Sequence, residues 1–164
     1  MKTTLTAKAT RRAISLFAAA AAVVGTCLAT ATPAQAFPYW QEVNTGPNWT
    51  CSPFKTHRLS FNIKFKTCIV RNSSNGAQSV LVVQNSSANP VQIRGEVDEV
   101  LSGGSWGSGY DMGTFACKLS TLNSGFTRGC FGITYSGTTR ITSTSTLFMN
   151  GSEEANATQD SWYG

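Results

Sequence analysis

Alternating apolar and polar residues predict that this chain folds mainly as β-strands. The longest alternation covers residues 59–69, with one face formed by Leu59, Phe61, Ile63, Phe65, Thr67 and Ile69. A period of two over eleven residues is typical of a strand with one buried face. A second alternation places four residues on one face, namely Val91, Ile93, Gly95 and Val97. The apolar run Gln78–Gln84 between them predicts a strand buried on both faces.

Turn signals separate these strands from three more. Asn75-Gly76 and Asn89-Pro90 are turn dipeptides. The further strands are predicted at Thr114–Thr121, Phe126–Tyr135 and Thr139–Met149. No helical period competes with this pattern, so we expect an all-β fold. Short antiparallel strands predict a β-sandwich of immunoglobulin-like size or a small barrel, with about six to eight strands. The irregular segment 37–57 precedes the strands and a polar tail, 150–164, follows them.

The amino-terminal 36 residues predict an export signal. Four cations, Lys2, Lys8, Arg11 and Arg12, precede an alanine-rich apolar run at Ala13–Val24. The sequence Ala34-Gln35-Ala36 then fits the small-residue pattern of a signal-peptidase cleavage site. We therefore expect a cleaved signal at 1–36 and a single secreted domain at 37–164 that does not cross the membrane. The Arg11-Arg12 pair leaves both the general and the twin-arginine export routes open.

Removing the signal changes the charge and the cysteine count. The whole chain carries a net charge of +5, but the mature part has nine Lys or Arg against eight Asp or Glu. Cations dominate before Glu96 and acids after it, and a folded sheet could interleave the two halves. With so little excess charge, we do not expect a nucleic acid partner.

Four cysteines remain in the mature chain, and in an exported protein they predict disulfides rather than metal or redox chemistry. Three pairings are possible, and we expect the sequential one, Cys51–Cys68 with Cys117–Cys130. The second pair is symmetric about Asn123 and Ser124, which predicts a hairpin in which the two cysteines face each other across adjacent strands. The first pair would attach the irregular segment to the long first strand.

One motif suggests a serine hydrolase. Gly103-Gly104-Ser105-Trp106-Gly107 fits G-x-S-x-G, and His57 with an aspartate would complete a triad. No helix pattern follows the motif, and the histidine precedes the serine instead of following the acid. We expect no enzymatic activity, and we interpret His57 as a solvated polar residue.

No cofactor or metal site is predicted, because clustered histidines and cysteines are absent. Glu96 and Asp98, with Glu99 on the opposite side of the strand, are interpreted as part of a solvated acidic face. The candidate binding residues are Trp106 and Tyr110 in the glycine-rich loop, and Lys64 and Lys66 on the first strand. Aromatic side chains in loops can stack on sugars or anchor a protein partner.

Three stretches of the mature chain, Val82–Asn85, Val91–Gly95 and Thr127–Gly132, accompany the Arg-Arg, alanine-rich signal and the two predicted disulfides. With these features the chain resembles small exported proteins of actinobacteria that have no assigned activity. The resemblance implies a bacterial secreted protein and transfers no catalytic residue. We therefore expect a protein with an extracellular binding or cell-surface role, whose partner is a polysaccharide or an extracellular protein. The alternatives are an inhibitor of an extracellular enzyme, presenting Asn123–Phe126, and a small hydrolase using Ser105 and His57.

Overall fold

The computed structural model describes residues 39–74, 76–103, 109–136, 140–155 and 159–161, with the backbone alone at 155 and 159–161. The predicted signal, Ser105 and Trp106 lie outside these ranges.

Eleven strands occur in the described part and all pair antiparallel: β1 Gln41–Glu42, β2 Trp49–Cys51, β3 Lys55–His57, β4 Ser60–Arg71, β5 Ala77–Asn85, β6 Val91–Ser102, β7 Tyr110–Leu122, β8 Thr127–Tyr135, β9 Arg140–Met149, β10 Ser152–Ala155 and β11 Gln159–Ser161. The six long strands, β4 to β9, are the six that the sequence predicts.

The strands form two sheets, which confirms the all-β sandwich. The first sheet has the order β1-β8-β5-β4-β2, with β3 also paired to β4. The second has the order β10-β9-β6-β7, with β11 also paired to β9. Both short strands of the polar tail therefore extend the second sheet. Within the described ranges, no helix is long and apolar enough to cross a membrane.

The inner faces of the two sheets form the main core. From the first sheet come Ile63, Phe65, Leu81 and Val83, and from the second come Ile93, Val97, Leu147 and Met149. These residues have the parity that the alternation predicts. Leu59 and Phe61 share the parity of Ile63, but they are half and nine-tenths exposed. The pairing of β5 with β4 ends at Asn85, opposite Ile63, so the start of β4 extends beyond the neighbouring strand.

Both predicted disulfides are formed, but the predicted hairpin is wrong. Cys117 lies on β7 in the second sheet and Cys130 on β8 in the first, so their bond joins the two sheets through the core. The segment 123–126 is the crossover between the sheets. Asn85 holds this crossover, because its backbone N–H donates to Phe126 O at 3.0 Å and its side-chain amide donates to Leu122 O at 3.0 Å. The symmetric spacing of the cysteines did not reveal which sheet each strand joins.

The first disulfide attaches the irregular amino-terminal segment, as predicted. Cys51 and Cys68 are direct partners in the pairing of β2 with β4. The segment wraps around the β8 edge of the first sheet. Trp40 packs against the main core, and its indole N–H donates to Lys118 O at 2.9 Å. Val43 contacts the outer face, where a Cβ on Gly129 would lie 2.5 Å from the Val43 side chain. Both faces of the first sheet therefore contact this segment.

We predict that the two disulfides differ in their effect on stability. Replacing Cys117 and Cys130 together by alanine should lower the free energy of unfolding by about 3 kcal/mol, from the loss of loop constraint alone. The loss should be larger than this because both cysteines are fully buried in the main core. Replacing Cys51 and Cys68 removes a similar loop constraint, but Cys51 is half-buried and lies on an edge strand, so the loss should be smaller and cleavage should begin within residues 39–54. Urea unfolding, with limited proteolysis of residues 39–54, measures both effects. An equal global loss in the two double variants would contradict this assignment.

Candidate functional site

The charge asymmetry along the sequence is partly balanced in the fold. Lys55 and Arg58 lie beside Glu154 of the carboxyl-terminal part, at 2.9 and 3.6 Å. Hydrogen bonding to Lys55 lowers the pKa of Glu154. Arg128, from the carboxyl-terminal half, pairs with Glu42 from the amino-terminal half at 3.2 Å. Ion pairs between the two halves therefore balance part of this asymmetry.

Lys64 and Lys66 lie on the outer face of the first sheet. Lys64 is exposed, whereas Lys66 is half-buried, and burial lowers the pKa of its ammonium group. The Lys66 Nζ atom lies 4.6 Å from the centroid of the Phe54 ring, which is a cation–π contact. In the described part of the chain, no carboxylate lies within ion-pair distance of Lys66. Its charge is thus partly desolvated and has an aromatic neighbour instead of an acidic one.

Lys66 and Phe54 line an open cavity of about 200 Å³, which we call the lysine cavity. Its other lining residues are Val43, Asn44, Thr45, Val82, Gln84 and Thr127. The amino-terminal segment supplies one wall and strands β4, β5 and β8 supply the floor. The cavity thus combines one cation, one aromatic ring and several amide and hydroxyl groups.

A second open cavity, of about 240 Å³, lies farther along the same outer face, and we call it the tryptophan cavity. Trp49 and Phe131 form an aromatic wall, with ring centroids 6.2 Å apart and planes inclined by 76°. Asn48, Gln78 and Thr134 contribute polar groups to its lining. Between the two cavities, Val43, Trp49 and Cys51 cover the apolar residues Val80 and Val82.

Tyr110, the other candidate in the described ranges, begins β7 opposite Leu101 and is half-exposed. Trp106 and Ser105 lie outside those ranges, so a binding loop that combines Trp106 with Tyr110 stays a prediction. Among the candidate binding residues that are described, only Lys66 lines one of these cavities. Sequence reasoning missed Phe54 and Phe131, because only the sheet pairing brings the irregular segment onto β4 and β8.

His57 is buried, so its interpretation as a solvated residue is wrong. Its Nδ1 atom accepts a hydrogen bond from Leu59 N at 3.2 Å, which leaves Nε2 as the donor to Ser152 O at 3.3 Å. The histidine thus joins β3 of the first sheet to β10 of the second. Burial lowers the pKa of the ring, and the neutral tautomer satisfies both backbone partners.

This arrangement predicts that acid destabilises the fold through His57. Below pH 6.5 the unfolded chain takes up a proton that the folded ring excludes, so stability falls as pH decreases toward the lowered pKa. The slope should reach at most about 1.4 kcal/mol per pH unit, which is the limit for one proton. His57→Gln should reduce this slope between pH 7 and 5.5 in urea unfolding experiments. An unchanged slope in the variant would show that His57 is not the titrating group.

Glu99 is the main departure from the expected solvated acidic face. Glu96 and Asp98 do lie on the outer side of β6, but Glu99 is fully buried between the sheets. One carboxylate oxygen accepts a hydrogen bond from Ser79 N at 3.3 Å. Gly132 packs directly against the carboxylate, where a side chain would not fit. Burial raises the pKa of Glu99, and the Glu99 carboxylate together with burial raises the pKa of Tyr135.

We predict that Glu99→Gln stabilises the protein at neutral pH by on the order of 1 kcal/mol, because burial of an ionised carboxylate opposes folding. The raised pKa means that this cost disappears as pH falls below the folded pKa toward 4.5. The gain should therefore shrink in acid. Asp98→Asn, on the outer side of the same strand, is the matched control and should show no such gain. A destabilised Glu99→Gln variant at pH 7 would contradict this prediction.

No group of three or more His, Cys, Asp or Glu side chains that could hold a metal ion occurs among the described residues. No protein-family model matches the sequence, and comparison with curated proteins finds no significant similarity. The two disulfides are typical of a protein that folds in an oxidising environment, as outside the cell.

Proposed function

We propose that this protein is a secreted, non-enzymatic β-sandwich that binds an acidic polysaccharide outside the cell through the lysine cavity. The observation that carries the proposal is Lys66, a half-buried cation that opens onto a cavity and has no acidic partner within the described ranges. Secretion is supported by the predicted signal at 1–36 and by the two disulfides.

The energetics of Lys66 favour an anionic ligand. Burial already disfavours its charged form, which the lowered pKa expresses. A carboxylate placed in the cavity would form a charge-assisted hydrogen bond and offset this desolvation. Lys64 also lies on this outer face and is exposed. Two lysines on one face are too few for a nucleic acid surface, so the half-buried Lys66 favours a local anionic group instead.

The rest of the lining favours a sugar over a peptide. The Phe54 side chain is about half exposed, so it offers apolar surface on which a sugar ring could pack. Asn44, Thr45, Gln84 and Thr127 surround it with amide and hydroxyl groups that suit sugar hydroxyls. Pockets that combine apolar surface with a few fixed polar groups are typical of small polar ligands.

The alternative of an inhibitor of an extracellular enzyme depends on an exposed hairpin tip at Asn123–Phe126. That segment is instead a crossover held against β5 by Asn85, and Ser124 Oγ donates to Ser87 O. No described contact favours this alternative over the lysine cavity.

Replacing Lys66 by methionine tests the proposal. The substitution keeps the length of the side chain and removes the charge, so it should preserve the fold. We expect isothermal titration calorimetry with oligogalacturonate to show binding to the wild type that weakens at least tenfold, about 1.4 kcal/mol, in Lys66→Met. A neutral oligosaccharide, cellohexaose, should bind much more weakly than the acidic one.

Lys118→Met is the matched control. Lys118 also lies over an aromatic ring, with Nζ 4.9 Å from the Tyr39 centroid, but it is on β7 and lines neither cavity. Its replacement removes the same net charge and should leave affinity within about twofold. An equal loss of affinity in both variants would show that only the net charge of the protein matters. No loss of affinity in Lys66→Met would refute the site.

A further inference from the structure

The tryptophan cavity and the lysine cavity occupy the same three strands. On β4 the lining shifts from Lys66 to Val70, on β5 from Val82 to Gln78, and on β8 from Thr127 to Phe131. Between the nearest lining residues, each shift is four residues. At about 3.3 Å per residue, these nearest residues lie roughly 13 Å apart along the strand direction.

The covering segment explains why there are two cavities rather than one groove. Val43, Trp49 and Cys51 pack on Val80 and Val82 in the middle of the outer face. The Cys51–Cys68 disulfide fixes this cover to β4. A cavity is thus left open on each side of the cover, and both face away from the second sheet.

The lining of the tryptophan cavity suits a neutral sugar ring. Trp49 and Phe131 supply apolar aromatic surface. The side-chain amide of Gln78 donates to Gly132 O at 2.7 Å, and that of Asn48 donates to Arg71 O at 2.8 Å. These bonds fix both amides while leaving their carbonyl oxygens as acceptors for ligand hydroxyl or amide groups. Arg71 is the one charged residue of the described lining, and it is already engaged in an interaction of its own, while no carboxylate is present.

We propose that the tryptophan cavity is a second subsite, which binds a neutral sugar unit of the same polysaccharide chain whose acidic unit binds in the lysine cavity. This inference rests on the proposed function, since it names the polymer as one with both acidic and neutral units. Two subsites on one rigid face make the second contact intramolecular, so affinity should rise steeply once a chain is long enough to span both.

The test uses oligosaccharides with alternating uronate and N-acetylhexosamine units, from a disaccharide to a decasaccharide. The wild type should bind the decasaccharide at least tenfold more tightly than the disaccharide. Thr134→Trp, which places a large side chain in the tryptophan cavity at an exposed position, should abolish this gain and leave disaccharide binding unchanged. Lys66→Met should weaken binding at every length.

Thr121→Trp, at an exposed position on β7 in the second sheet, is the matched control and should keep the dependence on length. Gln78→Ala, which removes the amide without filling the cavity, should also reduce the gain. A dependence on length that persists in both Thr134→Trp and Gln78→Ala would overturn the second subsite while leaving the lysine cavity intact.

The two proposals can also fail separately. If the wild type binds none of the acidic oligosaccharides, the lysine cavity is refuted, and chitohexaose then tests the tryptophan cavity alone. A tryptophan fluorescence change with chitohexaose that disappears in Trp49→Phe would support the neutral-sugar subsite. The absence of such a change would overturn it.

Discussion

Strand β5 must be covered on both faces, and the rest of the architecture follows from this constraint. Its residues Ser79 to Val83 are all buried. Leu81 and Val83 face the second sheet, while Val80 and Val82 face outward. A two-sheet sandwich covers only one face of each sheet. The amino-terminal segment covers the outer face, and the Cys51–Cys68 bond holds it there. Burial of this apolar strand therefore explains why an irregular segment is retained at all.

The same cover creates the proposed binding surface. Two cavities remain at the borders of the segment, one lined by Lys66 and the other by Trp49 and Phe131. The second sheet stabilises the fold in a different way. It is joined to the first by the buried Cys117–Cys130 bond, by Asn85 at the crossover and by His57 at the edge. The groups that join the two sheets thus lie apart from the two cavities proposed to bind a ligand.

The local pattern of residues predicts where the strands lie, but it does not predict which strands pair with each other. The period of two placed Ile63, Val97 and Leu147 in the core, and short spacing paired the cysteines, because both depend on neighbouring residues. His57 lies in a polar stretch and is buried only because β10, nearly a hundred residues later, packs over it. Glu99 has the same parity as Val97, so the alternation alone places it on the apolar face. The general rule that carboxylates are exposed led instead to the prediction of a solvated side chain. The half-burial of Lys66 depends on Phe54 and Val43, which no periodicity connects to β4.

The amino-terminal segment and the outer face of the first sheet together form the proposed binding surface. A nuclear magnetic resonance titration of the isotope-labelled protein with an alternating uronate–N-acetylhexosamine decasaccharide tests this surface most directly. Amide shifts should change around both cavities, in residues 43–49, 66–78 and 127–134, and stay constant on β6, β7 and β9. Amide shift changes concentrated at Tyr110 and the adjoining part of β7, with the outer face of the first sheet unaffected, would contradict this binding surface.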